Sequence, residues 1–149
     1  MLWGSRFDKQ PDELFARFQN SFHFDWRLYD ADIRGSIAYA KALARVGIMS
    51  EGEANEIERG LQLVRDEFAR GAFESKPNDE DIHTAIERRV TEIAGDGGGK
   101  LHTGRSRNDQ IALDIRLYLR REGRGVATRI QQLQEVLLQR ATESSEIAL

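Results

Sequence analysis

The 149-residue sequence has no cysteine, which excludes disulfides, thiolate nucleophiles and sulfur-ligated metals. It has only two prolines, Pro11 and Pro77. Both fall where segments start, and Pro11 is expected in the first turn of a short helix ending at Phe18. No apolar run approaches the roughly 20 residues that cross a bilayer. Residues Met1 to Phe7 lack the charged and apolar blocks of a signal peptide, so a cytoplasmic protein with no membrane partner is expected. Alternation with period two is missing over any useful length, and so is an internal repeat. Net charge is small, −3, and gives no general reason to expect nucleic acid as a partner. The segment after Arg107 holds one aromatic residue, Tyr118, so it lacks the interleaved aromatics of a single-strand binding surface.

What the sequence does have is helical periodicity. Apolar residues make up 40% and charged residues 32%, a balance that suits amphipathic helices in one ordinary domain. Trp26, Tyr29, Ile33, Ile37, Ala40 and Leu43 recur at steps of three and four, predicting a helix that ends near Val46-Gly47. Ser50 and Glu53 read as a capping box. Ile57, Leu61, Val64 and Phe68 continue the period to Gly71. A further helix starts around Asn78 or Asp79, carries Ile82, Ile86, Val90 and Ile93, and ends at Gly95.

The last segment starts near Asn108, with an apolar stripe of Ile111, Ile115, Tyr118, Val126, Ile130, Leu133 and Leu137. Between Tyr118 and Val126 the stripe passes through Glu122, which draws the pattern away from a strict heptad. Gly123 and Gly125 cost roughly 1 kcal/mol each relative to alanine. Forty residues of helix span about 60 Å, against about 30 Å for a globule of this size. Such a helix should project from the body and present its stripe to partners. The fold class expected is all-α: an N-terminal helical domain over residues 1–107, then the first long helix of a bundle from residue 108.

Chemistry concentrates in Gly97-Gly98-Gly99-Lys100-Leu101-His102-Thr103-Gly104-Arg105-Ser106-Arg107-Asn108-Asp109-Gln110. Glycines allow positive φ and close backbone approach to a ligand. Ser106, Arg107, Asn108 and Asp109 place hydroxyl, guanidinium, amide and carboxylate at a helix start, where free amides favour an anion. An arginine fork suits a carboxylate or phosphate. Ser, Asn and Asp are also ordinary N-caps. Charge placement favours the anion reading: Lys100 to Arg129 carries eight basic and three acidic residues, net +5, while the remainder carries −8. A P-loop is excluded by Leu101 after Lys100, by Ala94 five residues before Gly99 and by the preceding helix.

A second cluster is Asp79-Glu80-Asp81-Ile82-His83-Thr84-Ala85-Ile86-Glu87-Arg88-Arg89. Its three leading acids would complement a helix dipole. His83 and Glu87 lie four apart on one face, but two ligands are fewer than a metal site needs. No metal is therefore expected. In Asn20-Ser21-Phe22-His23-Phe24-Asp25-Trp26, Ser21 and Asp25 read as caps or turn residues. Phe22, Phe24 and Trp26 read as core.

These motifs, with Leu2-Trp3-Gly4-Ser5-Arg6-Phe7 and the run from Phe24 to Ser36, closely resemble argininosuccinate lyases of the fumarase/aspartase superfamily. Ser5 stands where a glycine is usual. The resemblance covers the whole sequence. It implies an all-α lyase that splits argininosuccinate into arginine and fumarate, working as a homotetramer without cofactor. It also implies a substrate site lined by Ser21, Asp25, Ser106, Arg107 and Asn108, with Asp81 and His83 close by. Substrate carboxylates suit Arg107, Asn108 and a helix N-terminus.

The resemblance implies a longer protein too, roughly three times this length and beyond one ordinary domain. The family's Thr-His pair and its mobile loop, with the serine named as base, have no counterpart in these residues. No catalytic residue is therefore assigned here, and the 149 residues are expected to be inactive alone. The alternatives are a catalytically silent, crystallin-like helical protein of the same family and an unrelated anion-binding module.

Overall fold

Apolar residues three and four apart form one buried stripe when wound at 3.6 residues per turn, and the structure is built from such stripes. The computed structural model describes residues 12–147. Pro11 and the Leu2–Phe7 motif lie outside them. Six α-helices follow in order: α1 (Glu13–Gln19), α2 (Phe22–Asp25), α3 (Tyr29–Arg45), α4 (Glu51–Ala69), α5 (Ile82–Ala94) and α6 (Arg107–Glu143). Turns of 3₁₀-helix cover Trp26–Leu28 and Gly95–His102. No strand occurs among the described residues, so the protein is all-α.

The chain divides into two compact units, Met1–Asp114 and Ile115–Leu149. In the first, α3 packs on α4, α4 on α5, and α5 on the Gly95–His102 run. The core is Ile33, Ala40, Leu43, Met49, Ala54, Ile57, Leu61, Val64, Ile82, Ile86, Val90 and Leu101. These include most of the stripe positions expected from the period. Tyr29, Phe68, Phe73 and Phe22 stack in series beside it, with successive centroids 4.9, 4.0 and 6.3 Å apart.

Local signals set the boundaries. Gly47 takes φ 75° after α3, the left-handed region where a Cβ is costly. The capping box forms at α4: Ser50 Oγ accepts from Glu53 N–H, and Glu53 Oε2 accepts from Ser50 N–H at 2.8 Å.

Four boundaries or faces differ from the sequence expectation. First, α1 begins at Glu13, capped by Asp12. Second, α5 begins at Ile82 rather than Asn78 or Asp79, because Asp81 is its N-cap and accepts from Thr84 N–H at 2.6 Å. The acids Asp79 and Glu80 thus precede the helix. Third, Phe24 and Trp26 are 56% and 44% exposed and not core. The chain passes through the short α2 and a 3₁₀ turn before α3, so the helical phase slips and turns Phe22 and Leu28 inward instead.

Fourth, the glycine run is not a loop with positive φ. Gly97, Gly98 and Gly99 lie in 3₁₀ turns, and the positive φ values fall at Gly95 and Gly104. The close approach is to α5, not to a ligand: a Cβ on Gly98 would sit 2.8 Å from Thr91 Cα. Tyr39 ties the end of the run to α3, donating its hydroxyl to the Thr103 carbonyl at 2.8 Å.

In the second unit α6 is continuous through Gly123 and Gly125. Its residues Ile115, Leu119, Val126, Ile130, Leu133, Val136, Leu137 and Leu138 are all exposed. No helix among the described residues is long and apolar enough to cross a membrane.

Candidate active site

The start of α5 gathers four of the residues marked in the sequence. Ser21 and Phe22 donate backbone N–H groups to the Glu80 carbonyl at 2.8 and 3.3 Å. That seats α2 against the residues entering α5. Ser21 Oγ donates to Asp25 Oδ2 at 2.6 Å, and Asp25 Oδ1 accepts from Ile82 N–H at 3.1 Å. A buried carboxylate from α2 thus satisfies an orphan amide of α5. Burial raises the Asp25 carboxyl above its ordinary value, partly offset by these two bonds.

His83 follows one residue into the helix and is 3% exposed. Its Nδ1 lies 3.2 Å from Asp32 Oδ2 and 3.4 Å from Asp114 Oδ2. Burial opposes its charge, but the Asp32 carboxylate outweighs that and raises the His83 pKa.

The second group sits at the start of α6. Ser106 Oγ accepts from Asn108 N–H at 3.2 Å, so the serine serves as the helix cap and α6 opens at Arg107. Arg107 spans outward and inward contacts. Its Nη1 donates to Gln110 Oε1 at 2.8 Å and its Nη2 to Glu87 Oε2 at 3.0 Å. Glu87 lies one helical turn beyond His83 on α5, so α5 is the element joining the two groups. The side chain of Arg107 keeps 20% exposure, and Ser106 and Asn108 are exposed. His102 Nδ1 stands 4.0 Å from the same Glu87 oxygen. A concave surface lined by Asn78, Glu80, Thr84, Glu87, Arg88 and Arg107 runs along α5 between them.

The His83–Glu87 pair weighed in the sequence does not form. His83 turns to Asp32, and Glu87 holds Arg107. What sequence reasoning missed is a buried polar layer behind the site. Asp32 Oδ1 accepts from Gln110 Nε2 at 2.6 Å and from Ser36 Oγ at 3.1 Å. Arg105 Nη1 donates to Ser36 Oγ at 3.1 Å, with its guanidinium over the Tyr39 ring. Burial pushes the Asp32 carboxyl up, but His83 and Gln110 more than reverse this and hold it low. Burial and the Asp32 charge push the Asp114 carboxyl up to about 7. The signal for this layer was faint. Asp32 and Ser36 are polar residues four apart among the apolar positions of α3, and Gln110 and Asp114 stand four apart in α6. Those two polar residues, not the apolar stripe, are the buried residues of α6.

The comparisons with known proteins fall on this same chain length. Argininosuccinate lyase of Roseiflexus sp. (strain RS-1) is 53% identical over 140 residues, covering 94% of this chain and 31% of its own. Argininosuccinate lyase of Desulforudis audaxviator (strain MP104C) is 49% identical over 148 residues, covering 99% and 32%. That of Chlamydomonas reinhardtii is 49% identical over 148 residues, covering 99% and 31%. The chain therefore spans about a third of the length of the curated relatives it matches. A family model described as lyase matches residues 5–149, which takes in both helix starts and the buried layer behind them, and the chain belongs to the lyase family.

Proposed function

We propose that this chain supplies part of the substrate site of an argininosuccinate lyase, which eliminates arginine from argininosuccinate to leave fumarate. The observation that carries the reading is identity of 53% and 49% with argininosuccinate lyases across nearly the whole chain. The geometry of Arg107 supports it. A guanidinium beside an exposed serine and asparagine at a helix N-terminus suits a substrate carboxylate. In this reading Ser21, Asp25, Ser106, Arg107 and Asn108 line the site, and Asp81 and His83 stand close by. Asp81 caps α5 and His83 is enclosed, so they shape the site from behind. The proton removed from the carbon next to a carboxylate needs a base from outside these residues. We assign residues 1–107 to an N-terminal domain and residues 108–149 to the start of a central bundle, in a cytoplasmic enzyme working without cofactor.

A chimera tests this reading. The segment of the Roseiflexus argininosuccinate lyase that matches this chain is replaced by the chain itself. Fumarate release is then followed by absorbance. The expected result is turnover of argininosuccinate. Arg107→Lys in the chimera keeps the charge and loses the fork. It should lower kcat/KM by about tenfold or more, or about 1.4 kcal/mol of transition-state binding. A folded chimera with no turnover would favour the silent, crystallin-like alternative. Unchanged kcat/KM in the lysine variant would make Arg107 structural.

The partner we propose for the exposed stripe of α6 is a second copy of the chain, within a homotetramer. Contiguous apolar surface of this extent is unusual in a soluble monomer. In sedimentation the wild-type chain should associate. Ile130→Asp combined with Leu133→Asp should weaken that association, since each charge would be desolvated at the contact. A dilution-stable monomer for the wild type would remove this part of the proposal.

A further inference from the structure

Arg107 is held by the protein's own groups on two of its nitrogens. Nη2 donates to Glu87 Oε2 at 3.0 Å and Nη1 to Gln110 Oε1 at 2.8 Å. A guanidinium carries about five N–H donors in a planar fork, so donors remain for a ligand once these two bonds are made. A long arginine side chain otherwise samples many rotamers, and ordering it at the moment of binding costs affinity.

The two groups that hold Arg107 differ in what fixes them. Gln110 is 5% exposed, and its Nε2 donates to Asp32 Oδ1 at 2.6 Å. A carboxylate only accepts, so the amide turns its nitrogen to Asp32 and its oxygen to Arg107. Gln110 thus belongs to the buried layer. Glu87 does not. Its side chain keeps 30% exposure, on the face of α5 that lines the same concave surface as Arg107. An ion pair this open contributes little to stability. What a charge-assisted bond does supply there is direction.

We propose that Glu87 is a positioning residue for Arg107: its carboxylate fixes the guanidinium so that the remaining N–H donors meet a substrate carboxylate. This role rests on the lyase reading above, because it needs a carboxylate-bearing substrate at Arg107. Glu87 acts through Arg107 and does not itself touch the substrate. The rival role is that of a competitor, a carboxylate occupying the donors that the substrate needs. A competitor would grip Arg107 by two parallel bonds, as Arg88 grips Asp79. Glu87 makes one bond, to one nitrogen, and leaves the fork open.

The chimera described above carries the test, through two variants that separate position from charge. Glu87→Asp keeps the charge and draws the oxygen back by about one carbon–carbon bond, roughly 1.5 Å. Misplacement on that scale is costly to catalysis, and kcat/KM should fall about tenfold. Glu87→Gln keeps the length and one acceptor oxygen. It should stay within about threefold of the unsubstituted chimera, the bond being weaker without its charge. The reverse order, with aspartate tolerated and glutamine not, would overturn the proposal.

Glu87→Ala should lower kcat/KM about tenfold or more. In an Arg107→Ala background nothing is left for Glu87 to hold. There the same change should add less than about a twofold loss, the non-additivity expected of groups that act as a unit. Losses that multiply would make Glu87 a structural residue and overturn the proposal. A rise in kcat/KM with Glu87→Ala would overturn it in favour of the competitor. Where the alanine chimera does not fold, the aspartate and glutamine variants still decide. An active chimera indifferent to all three substitutions removes this inference alone. A folded, unsubstituted chimera without turnover removes the lyase reading and this role with it.

Discussion

The purified 149-residue chain releases no measurable fumarate from argininosuccinate. Elimination needs a base for the carbon proton and an acid for the leaving nitrogen, and each such group contributes about 10²–10⁴-fold in rate. The titratable groups at hand are already committed. Asp25 is bonded to Ser21 and Ile82, Asp81 caps α5, and Glu87 holds Arg107. His83 is enclosed with Asp32 and Asp114. None of them stands free to take a proton from a bound substrate, and the serine that the family resemblance names as base has no counterpart in the sequence. Supplying argininosuccinate to the chain alone and following fumarate absorbance measures the outcome. Turnover within tenfold of the chimera described above would mean that the groups listed here carry the chemistry, and the assignment of the base to another segment would fall.

Replacing Arg88 with methionine costs the fold about 3–5 kcal/mol, the loss expected when one partner of a buried ion pair is removed. Asp79 is 2% exposed. Arg88 grips it with two parallel bonds, Nε to Oδ1 and Nη2 to Oδ2, both 2.8 Å. The same guanidinium reaches the Glu74 carbonyl at 3.1 Å and Glu92 at 2.9 Å. It therefore pins the loop from Gly71 to Asp81 onto α5. These bonds, with Asp79 foremost, hold the Arg88 pKa above its ordinary value. Without Arg88, the Asp79 carboxylate keeps, among the described residues, the Lys76 N–H at 2.8 Å. Its carbonyl would still accept from Asn20, so the loop that seats α2 is weakened as well. Urea denaturation of the two chains compares their stabilities. Pairing Arg88→Met with Asp79→Asn should recover part of the loss, because the stranded charge is gone. A loss below about 1 kcal/mol for Arg88→Met would place the pair among surface ion pairs, which contribute about that little.

The sequence alone determined helices α3, α4 and α5 and most of their inner faces. Ile57, Leu61 and Val64, or Ile82, Ile86 and Val90, repeat at the helical period, and that period is a local property that no distant residue has to supply. The capping box at Ser50 and the turn at Gly47 were legible for the same reason. So was the family resemblance, carried by short runs of consecutive residues. Where the reading erred, neighbouring segments had intervened. The helical phase that predicts Phe24 and Trp26 in the core is interrupted by the 3₁₀ turn at Trp26–Leu28. The glycines at 97–99 serve a close contact with Thr91 rather than a ligand.

Only the tertiary structure decided which polar residues meet. Asp32 and His83 are 51 residues apart, and Asp32 and Gln110 are 78 apart. Their contact follows from how α3, α5 and the start of α6 pack, and each helix by itself shows only a stray polar residue near an apolar stripe. The sequence marks His83 and offers Glu87, four residues along the same helix, as its neighbour. Packing gave Glu87 to Arg107 and turned His83 toward carboxylates from two other helices. Burial then did what spacing cannot express. It removed water from Asp32, His83 and Asp114 together: desolvation and the Asp32 charge raise the Asp114 carboxyl, while the Asp32–His83 contact outweighs desolvation, holding Asp32 low and His83 high.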